Sequence, residues 1–189
     1  MPPSLRKTSD AWLLESVRYY MQLGFFDKYA GLTDEELLRR VKAHWTKTGG
    51  DRKPEGLADI LLLSLDKSRV FWGDLEAHVA PGNRAYIGLL KSMTNVSRGV
   101  FEPSDISEAW EGDNGPLRVE FTLNGVRRSL RPKARGDWLD TQFIADANRL
   151  IKETGTQFRV CDTGGQDLVL VALTDDEAKQ IRRERHLSI

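Results

Sequence analysis

One spacing in the sequence is compatible with a metal site, because Asp74, Glu76 and His78 stand at positions i, i+2 and i+4. In an extended or turn backbone these groups can converge, whereas in a helix only Asp74 and His78 share a face. A metal site needs further ordered ligands, and no HExxH-type spacing accompanies these three residues. A metal-dependent hydrolase, with Asp66 as a distant fourth ligand, is therefore an alternative to a solvated polar turn.

Cys161 is the only cysteine, which excludes an internal disulfide and a multi-thiolate metal site. A nucleophilic thiolate would need a base brought from His44 or His78, so we interpret Cys161 as a buried structural residue. Residues 163–166, Thr-Gly-Gly-Gln, join two predicted strands and do not open a helix, so they lack the geometry of a phosphate loop. The sequence predicts no cofactor and leans away from an enzyme.

Charge is segregated into two adjacent blocks. Residues 100–116 contain acidic residues and no basic one, whereas the charged residues of 117–135 are all basic except for Glu120. The acidic block holds Glu102, Asp105, Glu108, Glu111 and Asp113, and the basic block holds Arg118, Arg127, Arg128, Arg131, Lys133 and Arg135. Either the two blocks pair and neutralise each other within the fold, or their uncompensated charge recognises a partner.

The leading interpretation is a non-enzymatic protein-binding module of the regulatory-partner type, whose partner is another protein. An aromatic side chain ringed by charge is typical of an interface anchor, and Trp110 lies inside the acidic block. The predicted partner-binding residues are Glu108, Trp110, Glu111, Arg118, Arg127 and Arg131. A nucleic-acid binder that uses the basic block is a second alternative, and the neighbouring acidic block counts against it.

A hairpin organises the basic block. The residues of 117–123 alternate apolar and polar, and Asn124-Gly125 then predicts a type I′ turn before Val126. A two-residue loop places Phe121 opposite Arg128, and it places Arg118 opposite Arg131 on the other face, where like charges destabilise pairing. We expect residues 105–111 to form a neighbouring strand.

The periodicity changes from helical in the first half to alternating in the second half. This order predicts an α+β fold with N-terminal helices followed by a mainly antiparallel sheet, in the order strand, hairpin, helix, hairpin, helix. The glycine-rich segment 48–54 suggests an N-terminal helical extension of residues 1–53 and an α+β domain of residues 54–189, or one continuous domain.

Local signals support particular elements. Residues 168–173, Leu-Val-Leu-Val-Ala-Leu, have no polar alternation, which predicts a strand covered on both faces. Thr33 with Glu36 predicts a capping box, as does a second Thr-x-x-Glu at residues 174–177, and Asp137 is expected to cap the helix that follows it.

The composition is that of a soluble globular protein. The 189 residues include 28 basic and 28 acidic ones, a formal net charge of +0, so no global attraction to nucleic acid or an anionic membrane is indicated. No apolar stretch is long enough to span a bilayer, and the first residues lack the apolar core of a signal peptide. We therefore expect a cytoplasmic, bacterial protein without membrane association.

Two stretches resemble a loose group of uncharacterised bacterial α+β proteins. The first comprises residues 66–76 (DKSRVFW and DLE), and the second runs from residues 97–99 (SRG) through residues 108–110 (EAW) and residues 137–140 (DWLD) to the last strand. The resemblance covers about residues 57–185 and implies no activity or catalytic residues. Because small proteins of this kind are often encoded beside toxins, it places immunity-type binding first among the hypotheses.

Overall fold

The structure, a computed structural model, describes residues 9–50, 55–113 and 115–189. Within these ranges the helices are α1 Asp10–Gln22, α2 Asp34–Trp45, α3 Glu55–Leu63, α4 Ala85–Val96, α5 Gln142–Ile151 and α6 Asp175–Arg185. The strands are β1 Val70–Asp74, β2 Ser104–Trp110, β3 Leu117–Leu123, β4 Val126–Leu130, β5 Thr156–Cys161 and β6 Asp167–Thr174. The predicted α+β class is confirmed, while residues 51–54 of the predicted linker lie outside the described ranges. No helix in these ranges has the length and apolarity needed to cross a membrane.

The strands form two three-stranded antiparallel sheets, where the sequence predicted one sheet. Sheet 1 has the order β1-β6-β5, and sheet 2 has the order β2-β3-β4. The difference arises at β1, which pairs with β6 in a register that sets Trp72 against Val169. Placing β1 there gives β6 a neighbour on each edge, so that the most apolar strand has no free edge.

Strand β6 separates two hydrophobic cores. Val169, Val171 and Leu173 belong to the first core, whereas Leu168, Leu170 and Ala172 belong to the second. All six residues are at most 2% exposed, which confirms the prediction of a strand covered on both faces. Complete burial of a branched aliphatic side chain contributes about 1.5–3 kcal/mol, so β6 is a large source of the stability of this fold.

The two cores have different walls. Core 1 lies between one face of sheet 1 and helices α1, α2, α3 and α6, whereas core 2 lies between its other face, helices α4 and α5, and the inner face of sheet 2. Leu13, Val17 and Leu37 of the N-terminal helices share core 1 with Val171 and Leu173 of β6. The N-terminal helices thus pack directly on sheet 1.

The helix caps follow the sequence in part. At α6 the capping box is complete, since the Glu177 N–H donates to the Thr174 hydroxyl at 3.2 Å and the Thr174 N–H donates to the Glu177 carboxylate at 2.7 Å. At α2 the Thr33 hydroxyl accepts from the Glu36 N–H at 3.3 Å. The prediction that Asp137 caps the following helix is wrong.

Helix α5 begins later than the sequence suggested. Its first residue is Gln142, whose N–H donates to the carboxylate of the buried Asp140 at 3.2 Å. The other oxygen of that carboxylate accepts from the Lys133 N–H at 2.9 Å. Asp140 therefore fixes both the start of α5 and the segment that leaves the hairpin.

A buried ion pair joins three of the helices around core 1. Asp59 Oδ1 of α3 accepts from Arg185 Nε at 2.9 Å and Nη2 at 2.7 Å, and from the Tyr20 hydroxyl at 2.7 Å. Arg185 Nη2 also donates to Ser16 Oγ at 2.6 Å, and the guanidinium lies 5.6 Å from the Trp12 ring centroid. The side chains of Arg185 and Asp59 are only 13% and 5% exposed, so both charges depend on these contacts.

Arg185→Ala is expected to lower the free energy of unfolding by about 3–5 kcal/mol, because it removes the guanidinium that pairs with the buried Asp59 carboxylate. Urea denaturation followed by tryptophan fluorescence measures this effect. Arg183→Ala is the matched control, since Arg183 lies on the same helix with an exposed side chain. Equal midpoints for the two variants would contradict a structural role for the pair.

Candidate functional site

The hairpin at the centre of the charged region has the predicted register. The pairs are Leu123 with Val126, Thr122 with Arg127, Phe121 with Arg128, Glu120 with Ser129 and Val119 with Leu130. Both turn residues have positive φ, 52° at Asn124 and 73° at Gly125, as a type I′ turn requires. The ladder ends at Leu130, so the predicted opposition of Arg118 and Arg131 is wrong: Arg131 has already left the strand.

The arginines on the outer face of sheet 2 are compensated by the hairpin itself. Glu120 lies between them, with its carboxylate 3.2 Å from Arg118 Nε and 3.1 Å from Arg127 Nη2. Arg127 also donates to the Asp105 carbonyl at 3.0 Å and to Ser107 Oγ at 3.4 Å. These contacts fasten β2 to the hairpin without using an acidic side chain of β2.

The acidic block does form the strand beside β3, as predicted. Ser107 pairs with Glu120, and Trp110 pairs with Leu117. Even so, among the described residues no ion pair links a carboxylate of residues 100–113 to a cation of the hairpin. The two charge blocks are therefore adjacent in space. Direct ion pairing between them, which was one of the two outcomes expected from the sequence, is not seen in the described residues.

Glu108, one of the predicted partner-binding residues, is engaged within the fold. Its carboxylate accepts from the Tyr86 N–H in the first turn of α4 at 3.2 Å and from the Trp110 indole N–H at 3.0 Å. A carboxylate at this end of a helix is favoured by the helix dipole, and Arg84 at the N-cap position provides no side-chain cap. The Tyr86 hydroxyl accepts from the Asp140 N–H at 2.8 Å, so the start of α4 is held from two sides.

The space between α4 and β2 is a groove of about 720 Å³, which we call the α4–β2 groove. It is lined by Gly82, Arg84, Ile87, Lys91, residues 103–108 and Trp110. Successive side chains of a strand point to opposite faces, and here consecutive residues of β2 line the groove. The edge of β2, and not one of its faces, therefore forms one wall. The volume lies within the range of about 300–1,000 Å³ that is usual for ligand sites.

Part of this edge is irregular. The register between β2 and β3 shifts between Ser104 and Ser107, and Asp105 has a left-handed backbone with φ 50°. A bulge of this kind interrupts the ladder and bends the strand. Residues 107–110 keep regular pairing with β3, and β2 is an end strand of sheet 2, so its other edge has no strand neighbour among the described residues.

The helical wall of the groove has a simple pattern. Ile87 and Lys91, four residues apart, lie on one side of α4. Arg84, at the N-cap position, also lines the groove. Within the described part of the chain, neither the Arg84 nor the Lys91 side chain has an ion-pair or hydrogen-bond partner. The wall thus has an apolar centre between two cations without counter-ions.

The six predicted partner-binding residues fall on two surfaces. Glu108 and Trp110 line the groove, where Trp110 is half-buried and packs against core 2. Arg118 and Arg127 lie on the outer face of sheet 2, at either side of Glu120. The remaining two, Glu111 and Arg131, are exposed just beyond the ends of β2 and β4.

Of the three residues with metal-like spacing, Asp74 and Glu76 share one partner, whereas His78 contacts a different residue. The Gln166 side-chain amide donates to Asp74 and Glu76, each at 3.4 Å. His78 Nδ1 lies 3.0 Å from the Asp137 carboxylate. In the described ranges there is no group of three or more His, Cys, Asp or Glu side chains placed to hold a metal ion.

Asp66 and Cys161 are both buried. The Asp66 carboxylate accepts from the Phe26 N–H at 2.6 Å and the Ser68 hydroxyl at 2.6 Å, and so it holds the loop after α3. Cys161 lies in β5 opposite Val169 and is 2% exposed, and its burial raises the pKa of the thiol to about 12. The thiol is therefore neutral near physiological pH and is no nucleophile in the folded protein.

Sequence reasoning missed two features of this region. Trp138 is the large aromatic residue with the most exposure, 40%, and it lies in the segment between the hairpin and α5. The cations of α4 were also missed. The spacing of Arg84, Ile87 and Lys91 is readable in the sequence, but which side of α4 faces β2 depends on tertiary packing.

Glu108→Ala is expected to lower the free energy of unfolding by about 1–2 kcal/mol, because the Tyr86 N–H and the Trp110 indole N–H both lose their acceptor. Urea denaturation measures the loss, and faster amide exchange in the first turn of α4 locates it. Glu111→Ala is the matched control with an exposed carboxylate. A Glu108→Ala variant as stable as that control would contradict the assignment.

Cys161 is expected not to react with dithiobis(nitrobenzoate) at pH 8 in the native protein, because the burial of its thiol raises the pKa and suppresses the thiolate. The same protein unfolded in urea should release one equivalent of thionitrobenzoate quickly. Absorbance at pH 8 with and without urea makes the comparison. Rapid reaction of the folded protein would show an accessible thiolate.

No protein-family model, no curated protein and no solved structure matches the chain. The resemblance to uncharacterised bacterial proteins therefore stays a prediction, and the function has to be argued from the surface of this chain.

Proposed function

We propose that this protein is a non-enzymatic binding module that docks a segment of another protein in the α4–β2 groove. The observation that carries the proposal is the free edge of β2 beside a helix wall with two uncompensated cations. A strand edge offers backbone donors and acceptors, and protein segments in extended conformation are the usual occupants of such edges. A role of the immunity or regulatory type needs only this binding, because proteins of that type act by binding their partner and need no catalysis.

Three properties of the groove support a macromolecular occupant. It is open along the strand, its walls combine apolar groups (Ile87, Ile106 and Trp110) with charge, and hydrogen bonds tie its walls together. Glu108 ties β2 to the first turn of α4, and Arg127 ties β2 to the hairpin. A preformed site loses little conformational entropy on binding.

The two alternatives receive less support. A metal-dependent hydrolase would require Asp74, Glu76 and His78 to converge, whereas their side chains contact Gln166 and Asp137. A nucleic-acid binder would use the arginines of the hairpin, two of which are paired with Glu120. Neither alternative accounts for the groove.

The binding proposal can be tested by site-specific cross-linking in the cells that produce the protein. Benzoylphenylalanine introduced at Ser104 or Ser107 is expected to give a discrete adduct with one partner protein after irradiation, because both residues are exposed and line the groove. Immunoblotting detects the adduct and mass spectrometry identifies the partner. Arg84→Glu combined with Lys91→Glu should remove the adduct, because the helix wall then carries negative charge and repels a partner segment that the two cations attracted.

Val160 provides the matched control position. It is 38% exposed and lies on β5, an end strand of sheet 1 that is not part of the groove. Adducts from Val160 alone, with none from Ser104 or Ser107, would overturn the assignment of the groove.

A further inference from the structure

Resting on the proposed function, we infer that the occupant is an extended segment that adds to residues 107–110 as a fourth strand of sheet 2, with acidic side chains directed at Arg84 and Lys91. The inference concerns how the groove recognises its ligand and which chemistry the ligand carries. Three features support the inference: the regular edge of β2, the bulge that limits this edge, and the pattern of residues on the helix wall.

The strand edge determines the backbone conformation of the ligand. Residues 107–110 pair regularly with β3 on one side, and Ser107, Glu108 and Trp110 of this segment line the groove on the other. Four residues of a strand extend about 13 Å, enough to pair with a short extended segment. The ligand then follows the β-addition mode, in which backbone hydrogen bonds give affinity and alternate side chains give specificity.

The helix wall determines which side chains the ligand presents. In an added strand, alternate side chains point toward α4, where Ile87 lies between Arg84 and Lys91. Two cations without counter-ions favour carboxylates, and the isoleucine favours a branched aliphatic group between them. The complementary pattern on the ligand is therefore acidic, any, aliphatic, any, acidic.

The acidic residues of β2 do not prevent this arrangement. The Glu108 carboxylate already accepts two N–H groups, from Tyr86 and Trp110. Asp105 lies in the bulge, outside the regular segment.

The test uses a defined probe, the peptide Ser-Glu-Thr-Val-Thr-Glu-Ser, titrated into the full-length ¹⁵N-labelled protein. Amide signals of residues 107–110 should shift and their exchange with solvent should slow. The lysine counterpart, Ser-Lys-Thr-Val-Thr-Lys-Ser, should bind about tenfold more weakly or not at all, as two surface ion pairs would give. Arg84→Glu with Lys91→Glu should reverse that preference, whereas Arg39→Glu with Arg40→Glu, the same change in charge on exposed residues of α2, should not.

Backbone methylation separates strand addition from side-chain recognition alone. Only alternate N–H groups of an added strand face the host edge. One peptide is therefore N-methylated at both threonines and another at both glutamates and the valine. One of the two should lose about tenfold or more in affinity, through two or more lost hydrogen bonds, and the other should bind as before.

The outcomes distinguish this inference from the broader proposal. Equal binding of the two methylated peptides, or no charge preference, would overturn strand addition by an acidic segment. A cross-linked partner at Ser107 without binding of any peptide would leave the binding module standing and reject the extended ligand. Concentration-dependent dimers in sedimentation, lost with Arg84→Glu and Lys91→Glu, would identify a second copy as the occupant and overturn the inference.

Discussion

The structure depends on the burial of β6 on both faces. A strand with six consecutive apolar residues is stable only between two layers. The two ends of the chain supply one layer, and its middle supplies the other. The N-terminal helices and α6 cover one face, while α4, α5 and sheet 2 cover the other. Sheet 2 is thus held by its apolar inner face and makes no strand pairing with sheet 1. Because sheet 2 is a separate sheet, β2 ends as an edge strand, and the groove exists for this reason.

Rigid polar links then set the position of that edge. Glu108 and the backbone of Asp105 connect β2 to α4 and to the hairpin, and Asp140 connects the end of the hairpin to Tyr86 and to the start of α5. In the partly buried links the carboxylates of Glu108 and Asp140 accept from N–H groups, which is the condition under which polar groups are tolerated there. The same carboxylate of Glu108 therefore supports the fold and shapes the groove. A charge that looked available for a partner in the sequence is already bound within the protein.

Much of the fold could be predicted from sequence because its signals are local. The Asn124-Gly125 turn set the whole register of the hairpin, and the unbroken apolar run of β6 predicted its two-sided burial. The pairing of β1 with β6 could not be predicted, since it depends on contacts between distant parts of the chain. For the candidate site, charge segregation pointed to β2 and to Trp110, which line the groove. It could not reveal Arg84 and Lys91 as the opposite wall, because the side of α4 that faces β2 is a property of packing.

The bulge at Asp105 limits the length of the regular β2 edge. A strand that aligns with β2 finds regular backbone partners only as far as Ser107, where the left-handed residue two positions earlier turns the ladder aside. The regular part of the edge is therefore only four residues long. Short and bulged edge strands disfavour the edge-to-edge pairing of chains from which fibrils grow. One residue with an unusual backbone angle thus limits how far any other strand can pair with β2.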